Sequence, residues 1–110
     1  MKIRYYTTAS GRSPVEDFIS EMSDDTRHEL LDALNLLTSG VNLQMPVSRN
    51  LANIATGLHE LRLRDRSGQI RVIYYIRKGD AIFLLHAFRK KTQKMPLREI
   101  SIIRKRLKEI

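Results

Sequence analysis

The chain has no cysteine. That excludes a disulfide scaffold, a thiolate metal site and a cysteine nucleophile, and it fits a reducing compartment. Histidine is nearly as scarce: only His28, His59 and His86 are present, and none is paired by sequence with another. There is no glycine-rich phosphate loop and no His/Asp/Glu cluster at ligand spacing, so the sequence calls for no metal and no cofactor. No apolar run approaches the roughly 20 residues of a membrane span, and the opening MKIRYYTTAS lacks an apolar signal core. The expectation is a cytoplasmic protein without a membrane partner.

What is present is a core and a lopsided charge. Hydrophobic residues make up 42% of 110, too many for disorder and enough for one compact domain over residues 1–110. The net charge of +8 is unevenly spread. Residues 1–57 hold five Lys and Arg against seven Asp and Glu, a net of −2, whereas residues 58–110 hold fifteen against five, a net of +10. A basic half beside a near-neutral half is the footprint of a polyanion binder. The plainer alternative is a solvated surface that aids solubility.

Local patterns give an α+β chain. Ile3–Thr7 is β-branched and aromatic and reads as a short strand. Ser13, Pro14 and Glu16 form a helix start with a capping box, and Val15, Phe18, Ile19 and Met22 line one side of the helix that follows. Ser23 restarts the pattern, with Asp24 and Asp25 in the first turn; Leu30, Ala33, Leu34 and Leu37 recur at helical spacing up to Gly40. The strands are expected to form an antiparallel β-sheet, one face of which this helical hairpin should cover, with its acidic residues outward. Residues 41–56 read as a connection containing at most one helical turn, at Leu51–Ala55. Three antiparallel strands follow, over residues 58–65, 70–77 and 81–88, and a basic helix over 96–107 closes the chain with Ile100, Ile103 and Leu107 as its apolar stripe.

Alternation then sorts the three strands. A four-residue loop at Arg66–Gln69 pairs Asp65 with Ile70 and Arg64 with Arg71. Arg62, Arg64, Arg71 and Tyr75 fall on one face; Leu61, Leu63, Val72, Tyr74 and Ile76 fall on the other. His59 shares the apolar parity and reads as packed, and His28 as a surface residue. A second loop of two or four residues keeps His86 and Phe88 on the arginine face, and a three-residue loop turns them away; the expectation adopted is the former.

Arginine offers a planar fork of donors that matches phosphate oxygens. Lysine near other cations can have its pKa lowered and carry a proton. RNA cleavage through the 2′-hydroxyl needs alignment, removal of one proton, neutralisation of charge on phosphorus and protonation of the leaving oxygen. Cations preorganised on a sheet supply the electrostatic share. Arg62, Arg64 and Arg71, with Arg66, Arg89, Lys90, Lys91 and Lys94 at the rim, are the candidate phosphate contacts. Tyr75 and Phe88 are candidates for base stacking. From the residues alone, binding without cleavage is the simpler reading.

The segments GLHELRLRDRSGQIRVIYY, LLHAFRKKTQKMP and LREI, preceded by SPVEDFI, resemble the phage Gp49-like and HigB branch of the RelE/ParE toxin superfamily. The resemblance implies a RelE-like fold. It implies a ribosome-dependent mRNA endonuclease that works in the ribosomal A site, inhibits translation, and is held inactive by a helix-turn-helix antitoxin. On matching positions it implies catalytic roles for Arg62, Arg64, Arg71, Lys90 and Lys91, with His86 a further candidate. It implies a phosphate clamp at Arg89, Lys90 and Lys91, beside which Arg66, Tyr75, Phe88 and Lys94 remain the candidate RNA contacts read from the residues. The tyrosine or histidine that several relatives place in the C-terminal segment is missing after His86, so the identity of the proton carrier stays open. The alternatives are a basic nucleic-acid-binding module, a degenerate toxin kept for operon repression, and a structural partner for an acidic protein.

Overall fold

A computed structural model describes residues 1–110. The elements run β1 (Lys2–Tyr5), α1 (Pro14–Ser20), α2 (Asp24–Thr38), β2 (Ser48–Asn50), β3 (Leu58–Asp65), β4 (Gly68–Arg77), β5 (Ala81–Lys90) and α3 (Leu97–Lys108). The five strands make one sheet in the order β1-β5-β4-β3-β2. It is mixed, which corrects the all-antiparallel expectation: β1 runs parallel to β5, with Lys2 opposite Ala81 and Tyr5 opposite Leu84. Such long-range pairing leaves no local signal, because the turn chemistry that marks a hairpin is absent from a crossover. The short edge strand β2 lies inside the stretch read as a connection, and pairs antiparallel to β3.

The two helix starts behave differently. Ser23 (φ −61°, ψ 156°) caps α2, its hydroxyl accepting from the Thr26 N–H. Ser13 (φ −118°, ψ 94°) makes no side-chain cap, so the expected capping box does not form. Pro14 still opens α1, and Glu16 and Asp17 place negative charge against the dipole.

The β3–β4 turn has two residues, Arg66 and Ser67, with Asp65 opposite Gly68. The Asp65 carboxylate accepts from the Ser67 N–H at 2.9 Å and closes the turn. The four-residue loop expected there is therefore wrong, and Arg71 faces Arg62 rather than Arg64. The slip is two residues, so every side chain keeps its expected face. The β4–β5 turn has three residues, Lys78 to Asp80, with Gly79 at φ +76° in the left-handed position. Alone, that loop would turn His86 and Phe88 toward the helical hairpin. A bulge at Leu85 restores the parity: Tyr74 pairs with Leu84, but Ile73 pairs with His86. His86 and Phe88 thus lie on the arginine face, through two irregularities that offset each other.

Both faces of the sheet are packed. Val15, Met22, Leu30, Ala33, Leu34 and Leu37 of the hairpin region meet Leu61, Leu63, Ile70, Val72, Tyr74, Ile82 and Leu84 on one side. On the other, Ile103 of α3 is fully buried against a core that includes Leu58, Ile73, Phe83, Leu85 and Phe88. Burying a side chain such as Ile103 contributes about 1.5–3 kcal/mol. The arginine face is consequently not an open sheet surface. α3 packs over β5, with Leu51, Ile54 and Ala55 of the connection between β2 and β3 closing the same core, while Arg64 and Gln69 near the β3–β4 turn stay exposed. No helix is long and apolar enough to cross a membrane.

Candidate nucleic-acid interface

At that open end the strands line up a group of charges. Arg49 on β2 faces Glu60 on β3, and Arg62 on β3 faces Arg71 on β4. Gln69 on β4 faces Lys90 on β5. Arg62, Gly68, Gln69, Lys90, Lys91, Thr92 and Gln93 line a cleft of about 500 Å³ that contains no hydrophobic residue. Arg62 is held by its backbone N–H on Val47 O at 2.8 Å. Its guanidinium meets only the Met45 sulfur, at 3.5 Å, which leaves its fork to an incoming anion.

Arg71 lies beneath this cleft and is only 3% exposed. Its Nε is 2.6 Å from Glu60 Oε1, although the N–H is not aimed at that oxygen, so the pair is electrostatic rather than a well-formed hydrogen bond. Its Nη1 donates to Ile70 O at 3.0 Å and its Nη2 to Gln69 Oε1 at 2.9 Å. Burial pulls the Arg71 pKa down, with Glu60 opposing and Arg62 adding to the fall; an arginine keeps its charge under such pressure. Gln69, accepting through Oε1, has its amide N–H groups left for the cleft.

Lys90 is half-buried at the cleft wall. Burial lowers its pKa; Glu60 opposes that, and Arg71, Arg62 and Arg49 reinforce it. The lysine side chain therefore senses charges on β2, β3 and β4 together. Lys91 beside it is exposed.

The other expected residues lie elsewhere. Arg64 and Arg66 are exposed beyond the cleft, near the turn. Arg89 points to the opposite face, where its fork is taken by Asp65 through two bonds of 2.8 Å. Lys94 is exposed on the segment after β5 and does not line the cleft. Tyr75 packs at the edge of the α3 core. Phe88 is inside that core, its ring stacked on His86 at 5.2 Å, so no face is presented to a base. His86 is also buried. Its Nε2 is 2.9 Å from Glu99 Oε1, and Arg106 Nη1 lies 3.2 Å from Nδ1. A guanidinium can only donate, so these partners assign the proton to Nε2. Burial lowers the His86 pKa, with Glu99 opposing, so the ring is neutral and ties α3 to β5. It stands apart from the cleft.

Alternation put Arg62, Arg64 and Arg71 on one face; Lys90, expected only at the rim, joins them because β5 runs two residues further than expected, to Lys90 opposite Gln69. Arg49, Glu60, Gln69, Thr92 and Gln93 were missed. Arg49 sits on a strand too short to recognise, and Glu60 differs from a surface glutamate only in its burial. A second cleft of about 470 Å³ is lined by Leu37, His59, Tyr74 and neighbours, but it holds no cation and does not suit a polyanion.

The Arg89 guanidinium holds the Asp65 carboxyl down at a pKa of about 2, from 3.8. A depressed carboxylate pKa contributes stability that is complete above the unfolded value and lost as pH falls through the folded one. The stability deficit of Arg89→Gln should therefore be full at pH 5, shrink between pH 3.8 and about 2, and vanish below. Thermal melts of both proteins across that range check this.

No curated relative matches the chain. The sequence model of the family described as "Phage derived protein Gp49-like (DUF891)" matches residues 17–108, which takes in most of both core layers, the cleft and α3. The chain belongs to this phage-derived Gp49-like family, the RelE/HigB-like toxin family.

Proposed function

We propose that this chain is the toxin of a toxin–antitoxin pair and that it cuts mRNA on the ribosome. The observation that carries the reading is the wholly polar cleft, walled by Arg62, Gln69, Lys90 and Lys91, with buried Arg71 behind it bonded to Gln69, in a member of this family. Arg62 and Lys91 engage the scissile phosphate and the one next to it. The neutral form of Lys90 takes the proton from the 2′-hydroxyl. The 2′-oxygen attacks phosphorus and the bond to the 5′-oxygen breaks. Charge on the phosphoryl oxygens is met by the Arg62 guanidinium and the Gln69 amide. The leaving oxygen takes a proton from Lys91, giving a 2′,3′-cyclic phosphate and a 5′-hydroxyl. Arg64 and Arg66, exposed beside the cleft, extend the basic track toward ribosomal RNA. A helix-turn-helix antitoxin that covers the cleft with acidic side chains holds the toxin inactive.

Binding without cleavage, in operon repression, is the second reading. One observation favours it: no histidine lies at the cleft, and the nearby carboxylate, Glu60, is engaged by Arg71. Expression in growing cells separates the two. Cleavage predicts growth arrest and mRNA breaks confined to translated regions, relieved by the antitoxin. Unbroken mRNA in cells that hold the soluble protein supports binding alone.

A further inference from the structure

Arg71 is buried behind the cleft and lines none of it. Its nitrogens are engaged by Glu60, by Ile70 O and by the side chain of Gln69. An RNA phosphate therefore cannot reach the guanidinium without opening the sheet. Of these partners only Gln69 lines the cleft. It precedes Arg71 by two residues on β4, is exposed, and stands opposite Arg64 on β3 and Lys90 on β5. A glutamine amide has one acceptor oxygen and an NH₂ that only donates. A guanidinium accepts nothing, so the 2.9 Å bond from Arg71 Nη2 settles which end of the amide is held: the oxygen is taken, and the nitrogen is left for the cleft. That bond is charge-assisted, roughly twice as strong as one between neutral groups. Unheld, the oxygen would turn to Lys90 or Arg64, its cross-strand neighbours, and occupy the cations that an incoming anion needs.

We propose that Arg71 is a positioning residue that serves the RNA through Gln69: by holding the amide oxygen it makes Gln69 a donor-only contact for a phosphoryl oxygen, in the row between Arg64 and Lys90. This rests on the RNA-cleaving reading above. Gln69 then adds N–H donors to the cations of the cleft and offers phosphate no repelling oxygen. The rest of the guanidinium anchors the arrangement. Nη1 donates to Ile70 O at 3.0 Å, and Nε lies 2.6 Å from the buried Glu60 carboxylate. Arg71 thus differs in kind from Arg62, whose fork opens directly to the cleft.

The test joins a spectroscopic signature to a mutant cycle. NMR relaxation of the Gln69 side-chain amide in the RNA-free protein, assigned by its loss in Gln69→Met, should give an order parameter near the rigid value of about 0.85. Replacing the buried pair together, Glu60→Met with Arg71→Met, avoids a stranded charge. It should free the amide, to an order parameter below about 0.6. A mobile amide in the parent, or one that stays rigid without Arg71, overturns the proposal. Gln69→Met should slow cleavage at saturating RNA by about 10²-fold, the lower figure for losing a donor aimed at developing charge. The paired replacement should slow it too, and should cause no further loss in the Gln69→Met background. Losses that multiply would mean that the buried pair serves the RNA independently of Gln69, which is the contrary result. If the paired variant does not fold, Arg71→Lys takes its place in both measurements. Lysine keeps the charge beside Glu60 and lacks the fork that reaches Gln69 as well. The amide is read without RNA. An amide freed as expected in a protein that never cuts RNA therefore counts against the cleaving reading, and multiplied losses in a protein that cuts count against the role of Arg71.

Discussion

Alanine in place of Lys90 is expected to slow RNA cleavage by about 10²–10⁴-fold, the share that a positioned general base contributes. The expectation comes from where the lysine sits. It forms a wall of the cleft beside Arg62, it is half-buried, and three arginines on neighbouring strands make its proton easier to lose. A lysine that only bound phosphate would behave otherwise, since its removal would weaken binding and leave the rate at saturating RNA nearly unchanged. Lys90→Arg separates the two. Arginine keeps the charge but cannot accept a proton near neutral pH, so RNA binding should persist while cleavage falls with the alanine variant. Lys105→Ala, which changes an exposed cation on α3, supplies the control for general loss of positive charge. Single-turnover rates over a range of RNA concentrations provide the measurement.

The second large effect is on stability. Phe88→Ala should destabilise the fold by about 3–5 kcal/mol, the range for removing a buried aromatic side chain. Phe88 is 6% exposed, it belongs to the core under α3, and it stacks on His86, whose ring joins Glu99 and Arg106 of that helix. Its loss opens a cavity where β5 meets α3 and loosens the covering of the sheet. An exposed stacking residue would show the reverse pattern: weaker RNA binding, by about 1–3 kcal/mol per base, at unchanged stability. Denaturant unfolding read by two probes, with RNA binding measured on the same preparations, decides between these outcomes.

The fate of Phe88 shows what alternation conveys and what it omits. Period-two patterning assigned Leu61, Leu63, Val72 and Tyr74 to the helical hairpin and Arg62 and Arg71 to the other side, and that division survived a misjudged turn because the slip was by two residues. It could not say that the other side had a roof. The apolar stripe of α3 is narrow, and its charged remainder looked like a solvated helix, yet Ile103 with Leu107 and Met95 closes a second core. The run AIFLL in β5 was the available clue, since a strand packed on both faces reads as continuous rather than alternating. The bulge at Leu85 left no composition signal. The parallel pairing of β1 with β5 also leaves none, because its partners are almost 80 residues apart along the chain.

The site was legible to the same extent. Its cations are visible as a cluster, but charge does not reveal depth. Arg62, Arg71, Arg89 and Lys90 look equivalent along the strands, and packing separates them. Arg62 opens to the cleft, Lys90 lines its wall, Arg71 is sealed against Glu60, and Arg89 is turned over and clamped by Asp65. Glu60 escaped notice for the reciprocal reason. A carboxylate between basic residues on a strand looks like surface charge balance until its exposure is known.

The most direct test is to incubate the purified protein with ribosomes carrying a defined mRNA and to determine the chemistry of the cut ends. The account predicts breaks in the A-site codon that end in 2′,3′-cyclic phosphate and 5′-hydroxyl, and that are lost when Lys90 is replaced by arginine. Intact mRNA with ribosome-bound protein, or breaks that persist undiminished in Lys90→Arg, would contradict it.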